Sequence, residues 1–212
     1  MPEFQTEEQQ VEAIKSFWQE NGNSIIAGLI VGLGGFIGFN YYQDSKLADE
    51  TKVTDAYQTM VDAGAKNAAD LPAAADKFVA NNAETSLAAF AEFALAKTAV
   101  ESQDYAKAEK HLAAAVTKAA DQGIKGIATV RLARVQMQQE NYQEALTTLS
   151  AELPASFKAT VEEAKGDVYL KQGKADLARS AYQAAIDADG LASSPALQMK
   201  LDDLAQAINL PN

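Results

Sequence analysis

The chain has 212 residues, with 18 Lys and Arg against 29 Asp and Glu, so its formal net charge is −11 at pH 7. Because nucleic-acid binding depends on Lys and Arg that neutralise phosphates, this charge opposes a nucleic-acid partner. With no cysteine and a single histidine, His111, a metal site would have to rely almost entirely on carboxylates. No nucleotide-binding, hydrolase or metalloprotease motif is present. We therefore expect no enzyme, no cofactor and no metal, and interpret His111 as a surface or partly packed side chain.

Residues 1–23 form a short acidic segment. Its Thr6-Glu7-Glu8-Gln9 sequence resembles a capping box, in which Thr6 caps a helix and Gln9 reaches back to it. Apolar residues then recur at helical spacing at Val11, Ile14 and Trp18. The pattern predicts a helix that either lies along a membrane surface or extends the helix that follows it.

Residues 24–42 contain no charged side chain and are long enough to cross the hydrocarbon core of a bilayer as one helix. A signal peptide begins with basic residues and ends at a small-residue cleavage site, whereas this segment follows acidic residues and ends in Asn40-Tyr41-Tyr42. Trp18 and the two tyrosines suit the aromatic belts of membrane interfaces. We predict an uncleaved transmembrane anchor.

The charges that flank the anchor give a weak indication of orientation. Lys15 precedes it, whereas Lys46 and Lys52 follow it, a bias that slightly favours a cytoplasmic C-terminal domain. Within the anchor, three glycines share one helix face, where small residues let another helix approach closely. These glycines are Gly28, Gly32 and Gly35. Either their face contacts a partner helix or a second copy of the protein, or they reflect the ordinary composition of membrane helices.

Residues 43–212 predict an all-α domain, because apolar residues recur every three or four positions and the breaks are short. Ala108, Ala145 and Ala178 are spaced close to the 34-residue period of tetratricopeptide repeats, and a small residue precedes each one by the same interval. We predict a tetratricopeptide-repeat-like solenoid of helix hairpins, with an irregular bundle as the alternative. The segment from Ser194 to Ile208 is expected to form a capping helix.

The first helices of such hairpins line a surface that binds other proteins. The repeat phase places on that surface a row that is apolar at one end and charged at the other, which would suit an extended peptide or a partner helix. For Phe90 and Phe93, the alternative is that the preceding helices cover them. The predicted groove residues are Phe90, Phe93, Lys97, Val130, Arg134, Met137, Glu163, Asp167 and Leu170.

The order of these segments resembles the YfgM family of bacterial inner-membrane proteins over nearly the whole chain. The similarity is carried by four stretches: VEAIKSFWQENG (Val11 to Gly22), VRLARVQMQ (Val130 to Gln138), GDVYLKQGKADLARSAYQAA (Gly166 to Ala185) and PALQMKLDDL (Pro195 to Leu204). The resemblance implies a cytoplasmic N-terminus and a periplasmic repeat domain, which overrides the lysine bias. It also implies association with the SecYEG translocon and with a PpiD-like periplasmic chaperone.

The expected function is therefore a non-enzymatic accessory subunit of the Sec translocon. Its helical domain would link newly translocated, unfolded polypeptides to periplasmic chaperones. The alternative is a membrane-anchored regulatory protein whose cytoplasmic N-terminal segment binds a soluble signalling factor.

Overall fold

The computed structural model describes residues 7–208, and within this range the regular structure is entirely helical. This confirms the all-α prediction. Short 3-10 turns lie at 68–70, 155–157 and 190–192. The α-helices of the described chain are α1 (Glu7–Lys66), α2 (Leu71–Asn81), α3 (Ser86–Glu101), α4 (Tyr105–Lys118), α5 (Gln122–Gln138), α6 (Tyr142–Thr148), α7 (Lys158–Lys171), α8 (Ala175–Asp187) and α9 (Ala196–Ile208).

The chain divides after Lys52 into two units, residues 1–52 and 53–212. In the first unit, α1 is uninterrupted from Glu7 onward, so the acidic segment extends the anchor helix. The predicted boundaries at residues 23 and 42 both lie inside α1, whereas Thr6 and its capping role lie outside the described residues. The anchor's apolar side chains are exposed, and only 6% of its most apolar window, of mean hydropathy 1.7, is buried. By length and composition, α1 can cross a membrane.

The second unit contains the predicted hairpins, formed by α3 with α4, α5 with α6, and α7 with α8. Ala108, Ala145 and Ala178 are each 0% exposed. The small residues twelve positions earlier are also buried, at Ala96, Ala133 and Gly166. Small side chains on both helices of a hairpin let their backbones approach closely, and this explains the repeat spacing. The tetratricopeptide-like prediction is confirmed.

Each hairpin turn uses a left-handed residue at the same repeat position: Gln103, Glu140 and Gly173 have φ of 61°, 64° and 73°. In each turn, the amide of the next residue donates to a carbonyl five positions earlier, as in Asp104 to Ala99 at 2.8 Å. This hydrogen bond satisfies a carbonyl at the end of the first helix and reverses the chain direction. The turns therefore repeat in conformation although only one of them contains glycine.

The apolar core of the second unit is a series of clusters, each shared by neighbouring helices. Their largest members are Met60, Phe78 and Leu95, then Leu112 and Leu132, then Leu149 and Val168, and finally Tyr182 and Leu197. The last cluster joins α8 to α9. The C-terminal segment thus forms the expected capping helix, α9, which begins at Ala196.

Candidate functional site

The first helices of two consecutive hairpins, α3 and α5, leave an open groove between them. Its volume is about 630 Å³, within the range usual for ligand pockets. We call it the α3–α5 groove. It is lined by Phe93, Ala94, Ala96, Lys97, Val100, Glu101, Leu112, Arg131, Arg134 and Val135.

The helix that positions both walls of the groove is α4, which packs against α3 on one side and α5 on the other. Leu112 of α4 is 3% exposed and contributes to the groove lining as well as to the core. The side chain of Asp104 accepts from the amide of Lys107, and Asp121 accepts from that of Ile124. These N-caps fix the start of α4 and α5, and therefore the register of the side chains they present.

Cationic groups surround the apolar part of the groove. The Arg131 guanidinium lies over the ring of Phe93, 5.0 Å from its centroid, in a cation–π contact. Lys97 forms a loose ion pair with Glu101, with 3.7 Å between Nζ and Oε1. Arg134 forms no ion pair with another described residue. The lining thus presents apolar surface beside hydrogen-bond donors that remain accessible.

The predicted residues of the first two repeats divide between groove and core. Phe93, Lys97 and Arg134 line the α3–α5 groove. Phe90 is not part of the groove lining, but it is 38% exposed and packs edge-on against Phe93, with 6.4 Å between ring centroids, so the preceding helices do not cover it. Val130 is 3% exposed and packs in the core that α5 shares with α7, so its side chain does not line a groove.

Met137 is half-buried and packs against the same core as Val130. The contact between α5 and α7 therefore covers part of its side chain as well. In the third repeat, Leu170 of α7 is 45% exposed but does not line the α3–α5 groove. The predicted row is therefore interrupted at α5–α7, and its open part lies in the first half of the repeat domain.

The acidic end of the predicted row is occupied by the protein's own C-terminal region. Lys200 of α9 pairs with Glu163 at 2.9 Å and with Asp167 at 2.7 Å. The hydroxyl of Ser194 also donates to Glu163, and that of Tyr182 donates to Asp167 at 2.8 Å. These two carboxylates are already hydrogen-bonded, and they hold the capping helix in place.

This cluster shifts two pKa values. Burial alone would lower the pKa of Lys200, but hydrogen bonds from Lys200 to Asp167 and Glu163, and the attraction of both charges, raise it above its ordinary value. Burial raises the pKa of Tyr182 well above its ordinary range, and the neighbouring Asp167 charge adds to the effect. Both shifts favour the protonated side chains in the folded protein.

His111 is half-buried and its Nδ1 lies 2.8 Å from a carboxylate oxygen of Glu92. Glu92 is itself 4% exposed, so the pair links α3 to α4 inside the hairpin. This fits the interpretation of His111 as a partly packed side chain. In residues 7–208, no group of three or more His, Cys, Asp or Glu could hold a metal ion.

Sequence reasoning missed Arg131, which the structure places in the groove over Phe93. The prediction took one residue from each turn of α5 as a groove residue, and in the turn that contains Arg131 it chose Val130. The three-residue spacing between Arg131 and Arg134 puts both on one face of α5, and this pattern could have identified Arg131. On the anchor, a methyl group added to Gly28, Gly32 or Gly35 would meet no atom within 4 Å, so this face is open.

A helix of membrane-spanning length and a solenoid of helix hairpins with a basic, apolar groove define a membrane-anchored tetratricopeptide-repeat-like protein. The sequence profile of the family described as tetratricopeptide repeat-like domain matches residues 15–206. The chain belongs to this family.

Comparison with individual proteins gives a more specific result than the family profile. A protein of Escherichia coli K12 named ancillary SecYEG translocon subunit is 34% identical over 203 residues, or 95% of this chain and 98% of that protein. Proteins of the same name in Haemophilus influenzae and Neisseria gonorrhoeae are 31% and 30% identical, each over 93% of this chain and 97% of their own length. These matches confirm the resemblance to the YfgM family.

Proposed function

We propose that this protein is a non-enzymatic accessory subunit of the Sec translocon in the bacterial inner membrane, which links translocated polypeptides to periplasmic chaperones. In this proposal the N-terminus is cytoplasmic, the repeat domain is periplasmic, and a PpiD-like chaperone is one of its partners. The α3–α5 groove is the surface that holds a partner chaperone or an emerging chain.

The observation that carries the proposal is the extent of similarity to ancillary translocon subunits. The alignment with the Escherichia coli protein covers 95% of this chain, so it includes the anchor as well as the repeat domain. A match restricted to the repeats would support only a generic protein-binding role, because tetratricopeptide-like folds occur with many functions.

The anchor and the groove supply the two contacts that such a subunit needs. The exposed glycine face at Gly28, Gly32 and Gly35 allows close approach by a helix of the translocon or of a membrane-anchored chaperone. The groove offers apolar surface and cations in the second unit. A tethered binding site raises the effective concentration of partners that are held at the same membrane.

Site-specific photocrosslinking in intact cells tests the proposal. Probes at Gly32 and Arg134 are expected to give adducts with translocon subunits and with a periplasmic chaperone, respectively. A probe at Lys107, which is exposed on α4 outside the groove lining, is the matched control and should give far fewer adducts. Adducts of the Arg134 probe restricted to cytoplasmic proteins would refute the proposed orientation and function together.

The absence of cysteine from the sequence permits an independent test of orientation. A single cysteine introduced by Lys107→Cys should react with a membrane-impermeant maleimide in spheroplasts. One introduced by Glu12→Cys should react only after lysis. The opposite pattern would place the repeat domain in the cytoplasm.

A further inference from the structure

The α3–α5 groove concentrates positive charge in a strongly acidic protein. Its lining contains Lys97, Arg131 and Arg134 but only one carboxylate, that of Glu101, although the whole chain carries a net charge of −11. A local field of opposite sign to the protein's net charge favours anionic groups over cationic ones at that surface.

The cations are arranged around apolar surface. Val100 is 38% exposed and lies on the α3 wall, while Val135 lies on the α5 wall and is buried. The Arg131 contact holds the Phe93 ring beside them. A large apolar ligand side chain placed between the walls would bury this surface while groups next to it remain within reach of the cations.

From this geometry we infer that the α3–α5 groove binds an extended segment of a partner polypeptide in which a large apolar side chain is flanked by carboxylates. Arg134 is the principal hydrogen-bond donor to a ligand carboxylate, because it forms no ion pair with another described residue and can present a planar pair of N–H groups. Lys97 and Arg131 add charge on either wall. This inference rests on the proposed role of the groove as the protein-binding surface.

A peptide fits the observations better than an anionic lipid does. The apolar surface lies in an open groove between two helices of the repeat domain, and repeat solenoids use such surfaces for protein segments. The net charge of the protein opposes approach to an anionic membrane surface as a whole. Salt screens exposed charges beyond about 10 Å, so a carboxylate seated in the groove interacts mainly with the groove's own cations.

The test is fluorescence anisotropy with the full chain in phosphatidylcholine nanodiscs and four labelled peptides: GSDFDLDGS, GSSFSLSGS, GSKFKLKGS and GSDGDGDGS. The acidic, apolar peptide should bind about tenfold more tightly than the neutral apolar one, as expected for charge-assisted hydrogen bonds. The basic peptide and the acidic peptide without apolar residues should bind weakly. Affinity of the first peptide should fall as salt rises, because the groove is open to solvent.

Charge reversal supplies the control. Arg134→Glu should weaken binding of the acidic, apolar peptide by at least about tenfold and improve binding of the basic one, and Lys97→Glu should act in the same direction. Lys110→Glu makes the same change in charge as Lys97→Glu on an exposed face of α4 outside the groove lining and should have little effect. Equal effects of Arg134→Glu and Lys110→Glu would overturn the inference.

Two further outcomes separate the inference from the proposed function. Equal binding of acidic and basic peptides, or displacement of the peptide by short-chain phosphatidylglycerol, would refute the ligand chemistry even if the Gly32 probe crosslinks to the translocon. Charge-selective binding without translocon adducts would uphold the groove's chemistry and refute the translocon role.

Discussion

Replacing Gly166 with alanine should destabilise the repeat domain. A Cβ at this position would lie closer than 3.0 Å to two carbons of the Tyr182 ring. That ring is 0% exposed, and its hydroxyl is bonded to Asp167, so it has little room to move. Overpacking costs about 1 to 3 kcal/mol, and two contacts with a ring that has little room to move put this case in the upper part of that range, about 2 to 3 kcal/mol.

The magnitude is reduced by an opposing effect. Alanine is favoured over glycine in a helix interior by about 1 kcal/mol, so the expected net loss is about 1 to 2 kcal/mol. For a unit of this size, such a loss lowers Tm by about 2 to 8 °C.

Urea unfolding of the full chain in detergent micelles, followed by far-UV circular dichroism, would measure the loss. The control is the same substitution in a Tyr182→Leu background, which removes the ring. There, Gly166→Ala should be neutral or stabilising, because only the helix propensity remains. A neutral or stabilising effect in the wild-type background would refute the packing argument.

The remaining predictions concern the capping helix and the turns. Because the pKa values of Lys200 and Tyr182 are raised in the folded protein, their contribution to stability is complete below their unfolded pKa values and is lost as the pH rises through the folded ones. Unfolding midpoints measured against pH should therefore begin to fall near about pH 10. Lys200→Met should lower stability at neutral pH by about 1 to 2 kcal/mol, since two carboxylates lose a partner, and should reduce the alkaline loss; an unchanged alkaline loss would contradict the assignment. In the turns, Glu140→Gly should stabilise by about 0.5 kcal/mol through relief of left-handed strain, whereas Gly173→Ala should destabilise by about 1 kcal/mol. Thermal melts of the two variants that shift in the same direction would refute this reading of the turns.

The parts of the fold that depend on local patterns could be predicted from the sequence. The transmembrane anchor was predicted because residues 24–42 carry no charged side chain. The hairpins were predicted from the spacing of Ala108, Ala145 and Ala178, all of which are buried. The turn at Glu140 was also identifiable from its polar residues, although its left-handed conformation was not. Local patterns suffice here because each helix packs mainly on its neighbour in the chain.

The site was less predictable because side-chain access depends on how helices of different repeats meet. The repeat phase placed Val130 and Arg134 on the same surface, yet α7 covers only the first of them. Likewise, nothing near Asp167 in the sequence indicates that Lys200, 33 residues later, would neutralise it. Contacts of this range depend on the relative rotation of the helices, which residue spacing does not specify.

The series of core clusters has a consequence for how the protein forms. Each cluster is completed by helices that are close in sequence, so the contact order of the repeat domain is low, and such topologies fold quickly. A hairpin such as α3–α4 can close as soon as its second helix is synthesised, without waiting for α9. The domain can therefore gain structure progressively as the chain lengthens, and the apolar face of each hairpin is covered when the first helix of the next one is added.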